Sequence, residues 1–560
     1  MQARTALLSV TDKSGIVELG RGLLELGFEL IATGGTARVL RQAGLEVRPL
    51  EELTGFPEIL DGRLKTLHPG VFGGLLARPG ERDLAALAQH GIAPIELLAC
   101  NLYRFEHAAA RDASWQELLE QIDIGGPAMI RAAAKNCERV AVLVDPADYP
   151  HALAELRAHG QLRPESRRAL ARKAFARTAA YEATIATVLA ARPETAAAAL
   201  GAERAAGTET PFPERLTRTW SRACALRYGE NPHQRAALYV EPLLAARAGG
   251  AGGCAGSTAA ATPAPALALA RPLQGKPLSY NNLLDAQAAL ALVRELAALM
   301  PEQAAACVIK HTNPCGAALG HGPAQALERA LAGDPLSAFG GIVGLSQPLD
   351  PAAAELLRAR FLELVLAPGC DPRAQAVLAT KPELRVLLVA LAPPPSPNPV
   401  AAEPPGAEAD WELRPIEGGL LVQERDRQLL DERALRPVTA RVPSPAELAD
   451  LRFAWAVCKH VRSNAIVIAR DAQVLGVGAG QMSRVDAVAL AIRKAGPRAR
   501  GAVLASDAFF PFPDAIELAA SAGIRALIQP GGSRRDPEVI AAAEAAGLAM
   551  VLTGMRHFRH

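Results

Sequence analysis

Strand–helix alternation at both ends of the chain constrains its fold more than any other feature. TALLSV, the amphipathic stretch 14–26, FELIAT, TARVLRQA and LEVRPL follow one another over residues 5–50. Short apolar runs alternating with helical periodicity predict parallel strands joined by crossover helices. After residue 450 the pattern returns: SNAIVIAR and QVLGVGAG as strands, a helix from Val485, GAVLAS, a helix from Asp514, IRALIQP, a helix from Asp536, and LAMVLTG. Both ends are therefore read as α/β. At 560 residues the chain exceeds one hydrophobic core, and at roughly 100–200 residues per domain it predicts two or three. A helical run over 164–190 closes the first domain, with the boundary expected near 195–215. Residues 242–271, dominated by Ala, Gly, Pro, Ser and Thr, and 392–410, with PPPSPNPVAAEPPG, read as flexible surface insertions.

Sixty Lys and Arg against 58 Asp and Glu leave a net charge of +2, so no global field recruits nucleic acid or a membrane and the expected partners are small molecules. No strongly apolar run reaches the ~18 residues of a membrane span. The start, MQARTALLSVTDKSG, shows no export signal. Eight cysteines, at 100, 137, 224, 254, 307, 315, 370 and 458, form no C-x-x-C pair, which fits a reducing cytoplasm. Cys315, in NPCG, is either a nucleophile or a small space-filler.

Ser9–Lys13 and the TGGT turn Thr33–Thr36 each follow a predicted strand and precede a helix, which aims amides and hydroxyls at an anion. GRLKTLHPG at 62–70 adds Lys65 and Thr66, while NLYRF at 101–105, QIDIGG at 121–126 and RAAAKN at 131–136 bring Tyr103, Asp123 and Lys135. These three types shuttle protons, though spacing alone equally admits a core tyrosine, a capping aspartate and a solvated lysine. The ordered set SVTDKSG, ATGGT, GRLKTLHP, CNLYRF, QIDIGG and RAAAKN resembles the IMP cyclohydrolase domain, a methylglyoxal-synthase-like parallel-sheet fold. The resemblance implies that Lys65, Tyr103, Asp123 and Lys135 surround the reacting groups, and that Ser9, Lys13, Thr33, Gly34, Gly35, Thr36, Arg63, Thr66, Cys100 and Asn101 hold the nucleotide. One departure stands beside Tyr103: Arg104 occupies a position where the family usually has Pro.

In VIKHTNPCGAA at 308–318 a predicted buried strand delivers Lys310 and His311 into a Pro/Gly-bounded loop, the kind of strand end at which α/β sheets meet ligands. With RYGENPHQ, SYNNLLDA, DPLSAFGG, KHVRSNAI, GAGQMSR, SDAFFPFPD, PGGSRR and TGMRHF, this run resembles AICAR transformylase over 212–560. The two resemblances together point to the bifunctional family, with domains at 1–200 and 212–560, the second built of cytidine-deaminase-like α/β subdomains. Its implied chemistry is formyl transfer from 10-formyl-tetrahydrofolate to AICAR, then closure to IMP, in a homodimer without a catalytic metal. His311 is the implied base and Lys310 the oxyanion partner. Arg227, Tyr228, Asn282, Gly340, Glu363, Asn464, Arg484 and Arg556 are implied around AICAR, and Val485, Phe509, Asp514, Ser533 and Arg534 on the folate side. Glu363 is a mild departure, since some relatives carry Asp there.

Other readings fail on particular residues. The glycines at 476, 478 and 480 miss the G-x-G-x-x-G fingerprint because position 481 is Gln. None of the 11 histidines begins an H-x-E, and Cys315 has no Cys at 318, so zinc deaminase chemistry is not expected. Two alternatives stay open: a transformylase whose cyclohydrolase is impaired by Arg104, and an inert nucleotide sensor.

Overall fold

The computed structural model describes residues 4–60, 62–111, 113–190, 212, 215–247, 263–391 and 411–560. The chain divides into two compact units, one holding residues up to Trp220 with Glu241–Arg247, the other Ser221–Val240 and the described residues from 263 on. The stretch 215–220 and the helix Pro242–Arg247 thus go with the first unit, although the sequence placed them in the second region.

Unit 1 is a five-stranded sheet of β1 (Arg4–Ser9), β2 (Phe28–Ala32), β3 (Arg48–Pro49), β4 (Ile95–Cys100) and β5 (Ala141–Leu143). All pairs are parallel and the order is β3-β2-β1-β4-β5. Both faces of such a sheet are covered, so its strands are continuously apolar. Leu7 and Leu98 point into one core, and Ala6, Leu8, Leu97 and Ala99 into the other. LEVRPL gives only the short β3, because Pro49 caps the helix Leu50–Thr54. The helix Pro164–Ala190 buries Ala171, Ala174, Tyr181, Ile185 and Val188 against the first core at helical spacing. Strand order reverses between β1 and β4, which opens a crevice at their C-terminal ends.

Unit 2 is built on a twelve-stranded mixed sheet. Its spatial order is Arg436–Pro437, Ala549–Leu552, Ala526–Gln529, Val503–Ser506, Ile466–Arg470, Gln473–Gly478, Asn313–Gly320, Ala304–Lys310, Ile342–Leu345, Leu364–Ala367, Arg385–Leu388 and Pro272–Gln274. Two halves repeat one plan: a helix, a tight hairpin, a helix, a strand antiparallel to the hairpin, then two more helix–strand units in parallel. The hairpins meet antiparallel at Ala318 and Gln473, so the halves are inverted. The register therefore brings the His311 turn to the same sheet edge as Ile466, Ser506, Gln529 and Leu552, and the other hairpin turn, Asp471–Ala472, to the opposite edge.

NPCG is not a loop: Asn313–Gly320 is a strand, and a bulge between Pro314 and Gly316 accommodates the proline. The stretch 242–271 is not wholly a flexible insertion, since Pro242–Arg247 is helical and Leu267 is buried in the core; residues 248–262 and 392–410 lie outside the described residues. The glycines that mimic a dinucleotide fingerprint have a packing cause. A Cβ at Gly476 or Gly478 would strike the Ala491 or Ala487 carbonyl of the helix Arg484–Ala495.

Candidate active sites

In unit 1 the crevice is a cavity of about 760 Å³ lined by Ser9, Lys13, Thr33, Gly35, Thr36, Arg63, Lys65, Thr66, Cys100, Asn101, Tyr103 and Asp123. Burial and the nearby Lys65 ammonium hold Lys13 below the usual lysine range, against the pull of Asp12. Two cations crowded at strand and helix termini are what a bound phosphate would relieve. Asp123 is pushed above the usual carboxylate range by burial, against the Gly126 and Tyr103 amides and the Lys65 charge. The Gly126 N–H donates to Asp123 Oδ1 at 2.8 Å. Burial also keeps the Cys100 thiol protonated, so it packs rather than reacts.

In unit 2, His311 and Thr312 form the two-residue turn between Ala304–Lys310 and Asn313–Gly320, with φ of 51° and 62°. Lys310 Nζ donates to the carbonyls of Phe339 at 3.0 Å and Gly340 at 3.1 Å. An ammonium has three donors, so one remains for a substrate oxygen. Gly340 has φ 66°, and a Cβ there would sit 3.1 Å from Lys310 Nζ. The rings of Phe339 and Phe361 stack at 4.9 Å beside it. Across the edge, Arg462 Nε donates to Thr312 Oγ1 at 3.1 Å, tying the turn to the segment that carries Asn464.

The AICARFT/IMPCHase bienzyme family matches residues 133–494, and the MGS-like domain family residues 15–128. Bifunctional purine biosynthesis protein PurH of Cereibacter sphaeroides is 51% identical over 99% of this chain and 98% of its own. The proteins of the same name from Desulfitobacterium hafniense and Sorangium cellulosum are 48% and 50% identical over 100% of both chains. The chain belongs to the AICARFT/IMPCHase bienzyme family. It is a bifunctional enzyme of purine biosynthesis, an AICAR formyltransferase and IMP cyclohydrolase.

Against the residues the bienzyme resemblance implied, the structure makes several distinctions. Lys135 does not line the cyclohydrolase cavity: Gly125, Gly126 and Met129 of its helix do, and Lys135 is exposed at the helix end, about 9 Å along the axis beyond Met129 at 1.5 Å per residue. Gly34 opens its helix without lining the cavity. Asn101 lines it, but its amide is spent on the loop, accepting from Thr11 and Asp12 and donating to the Asp12 carbonyl. Arg63 pairs with Glu120, which also lines the cavity. Arg104 does not line it; its guanidinium is 3.1 Å from Asp12 and braces that loop from outside.

On the formyltransferase side, Arg484 is buried and engaged by Asp507, the Ala465 carbonyl and Asn464 Oδ1, so its fork braces Asn464 rather than standing open for phosphate. Asn282 completes the capping box of Ser279, and Glu363 accepts from Arg385 at 2.8 Å. Arg227 and Arg556 are exposed, each over an aromatic ring, that of Tyr228 or Phe558. Phe509 is partly exposed beyond Val503–Ser506, and Ser533 and Arg534 follow Ala526–Gln529 at the same edge. Asp514 opens the helix Asp514–Ser521 and accepts from Ala515, and Val485 is half-buried beside Arg484. Cys315 packs against the core with its Sγ donating to the Val308 carbonyl at 3.4 Å, and burial pushes its thiol up to about 12, which supports the space-filler reading. Among the described residues six cysteines are free, and Cys224 is in a disulfide that the scattered spacing did not predict.

Sequence reasoning missed Tyr181, Asp507 and Asp285. The Tyr181 hydroxyl accepts from the Asp123 amide at 2.8 Å and donates to the Gln121 carbonyl at 2.9 Å. Asp507 receives Arg484, the Ser463 hydroxyl and the Ala465 amide. Asp285 receives the Thr312 amide. Asp507 and Asp285 sit inside quoted motifs, SDAFFPFPD and SYNNLLDA, and the carboxylate in each was the available signal.

Proposed function

We propose that formyl transfer uses 10-formyl-tetrahydrofolate as donor and runs at the His311 turn, while cyclisation runs in the unit 1 cavity. The observation that carries this division is the one-donor surplus of Lys310 beside His311, in a unit separate from the Lys13–Lys65–Asp123 cavity. In the first step His311 removes a proton from the AICAR amine as its nitrogen bonds to the formyl carbon. The free N–H of Lys310 steadies the tetrahedral oxyanion, which collapses as the C–N bond to the tetrahydrofolate nitrogen breaks and that nitrogen takes a proton. The partly exposed rings of Phe509 and Phe512 offer apolar area for the pterin.

In the second step the carboxamide nitrogen attacks the formyl carbon of the same molecule, and the formyl oxygen leaves as water. Orientation supplies up to ~7–11 kcal/mol of such a barrier. Asp123, a cavity-lining carboxyl, positions the amide and its protons. Tyr103 relays the amide proton, Lys65 steadies developing charge, and Lys13 with the Ser9 and Thr33–Thr36 turns holds the phosphate. Exposed Leu336, Phe339 and Phe361 near the formyltransferase centre support a homodimer that covers them. The six free thiols favour the cytoplasm, with the Cys224 disulfide against it.

The test is turnover of AICAR and 10-formyl-tetrahydrofolate in excess chelator, with the formylated intermediate separated from IMP. Wild type yields IMP, and His311→Ala yields neither product from AICAR yet still closes supplied intermediate. Transfer unaffected in His311→Ala removes the assignment.

A further inference from the structure

The turn that presents His311 holds two non-glycine residues in the left-handed region, His311 at φ 51° and Thr312 at φ 62°, where L-residues other than Asn and Asp are seldom found. It stays there because something holds it. The Thr312 amide donates to Asp285 Oδ1 at 2.6 Å. Asp285 stands on the helix Tyr280–Leu299, which is fixed by the capping box of Ser279 and by burial of Ala286, Leu290 and Val293. Burial pushes the Asp285 carboxyl up, while the Thr312 and His311 amides and the His311 and Lys310 charges pull it back.

The other half of unit 2 repeats the device. Its hairpin turns at Asp471 and Ala472, with φ of 54° and 51°, and their amides donate to Asp450 at 2.9 and 2.7 Å. SYNNLLD at 279–285 and SPAELAD at 444–450 place the two aspartates at one offset from a serine N-cap. The Asp450 turn lies at the opposite sheet edge, away from the formyltransferase residues. One clamp thus serves a plain turn in one half and the turn that carries His311 in the other.

We propose that Asp285 is a positioning residue for formyl transfer, its carboxylate clamping the His311–Thr312 turn so that the imidazole meets the substrate amine in line. The proposal rests on His311 as the base. Asp285 touches no reacting atom, and Asp450 supplies an internal control of the same geometry at a turn outside the site.

The experiment measures AICAR formyl transfer, closure of supplied intermediate and melting temperature in Asp285→Ala, Asp285→Asn, Asp450→Ala and His311→Ala. A displacement near 1 Å costs about 10²-fold in rate. Asp285→Ala is therefore expected to lower kcat for transfer about 10- to 100-fold, with KM for AICAR and intermediate closure little changed. Asp285→Asn keeps an oxygen acceptor and regains most of the rate. Asp285→Ala combined with Thr312→Gly regains part, since glycine adopts a positive φ without steric cost. Asp450→Ala lowers the melting temperature and leaves transfer kcat intact. Wild-type kcat in Asp285→Ala overturns the proposal, as does an equal fall of kcat in Asp450→Ala, or an Asp285→Asn that is as slow as Asp285→Ala with the same loss of melting temperature. Unaltered transfer in His311→Ala removes the reading beneath it, whereas loss in His311→Ala beside an unaffected Asp285→Ala removes only the clamp.

Discussion

Replacing Tyr181 by Phe deletes a hydroxyl that does not line the cyclohydrolase cavity, and should nevertheless slow cyclisation. The ring is fully buried, edge-on to Phe105 at 6.4 Å, and the phenylalanine fills the same space. What is lost is the bridge from the Asp123 amide to the Gln121 carbonyl, at 2.8 and 2.9 Å. An unpaired buried polar group costs about 1–3 kcal/mol; this bridge is part-buried, so the lower half of that range, about 1–2 kcal/mol, is the expected loss of stability. The same slack frees the segment that aims Asp123, and misplacement near 1 Å lowers a rate about 10²-fold. Cyclisation of supplied intermediate, followed as IMP by chromatography, is expected to fall about 10- to 100-fold in kcat. Formyl transfer should stay within about twofold of wild type. Wild-type cyclisation in a variant that shows the stability loss would refute the reasoning, because the hydroxyl would then hold the fold without aiming Asp123.

Three further outcomes follow from the same geometry. The Arg104–Asp12 pair is more than one-third exposed on both sides, so it is worth about 0.2–1 kcal/mol; Arg104→Ala should change KM for the intermediate less than about fivefold, and a loss of 50-fold or more in kcat would contradict the bracing role. Glu295 is buried 2.9 Å from His460 Nε2 and 3.1 Å from Lys459 Nζ, and although burial raises its pKa, the His460 and Lys459 charges leave it lowered overall. A carboxylate depressed by folding stabilises above its unfolded pKa of about 4.3 and loses that contribution as pH falls through the folded pKa; denaturant midpoints against pH should therefore drop below about pH 4 in wild type. Glu295→Gln should flatten that acid limb and cost about 3–5 kcal/mol at neutral pH, and an unchanged pH slope would count against it.

Much of the fold was legible because apolar runs are strong signals. GAVLAS, IRALIQP and LAMVLTG are the strands Val503–Ser506, Ala526–Gln529 and Ala549–Leu552, and the helix read at 164–190 is Pro164–Ala190. NPCG misled because proline and glycine are turn residues by propensity, while the real turn is made by His311 and Thr312, whose positive φ is imposed by a carboxylate distant in sequence. The internal repeat of unit 2 lies in its connectivity, which no single motif reports. Its trace was the serine-capped helix ending its second turn in aspartate, SYNNLLD and SPAELAD. In the sites, motifs identified which residues lie at the strand ends but not which have their hydrogen bonds already spent. Asn101, Asn282 and Arg484 looked like ligand groups and are engaged with the protein. Lys135 was implied by the family resemblance, whereas its spacing equally admitted a solvated lysine, and it is exposed at the end of a helix whose Gly125, Gly126 and Met129 line the cavity.

On the proposed division, the two half-reactions run on separate side chains in separate units and are linked by the formylated intermediate. The most direct measurement is conversion of AICAR to IMP by His311→Ala, by Lys65→Met, and by the two variants mixed. Neither variant alone should make IMP, Lys65→Met should accumulate the intermediate, and the mixture should restore IMP. IMP from His311→Ala alone, or a mixture as inactive as its parts, would contradict the claim.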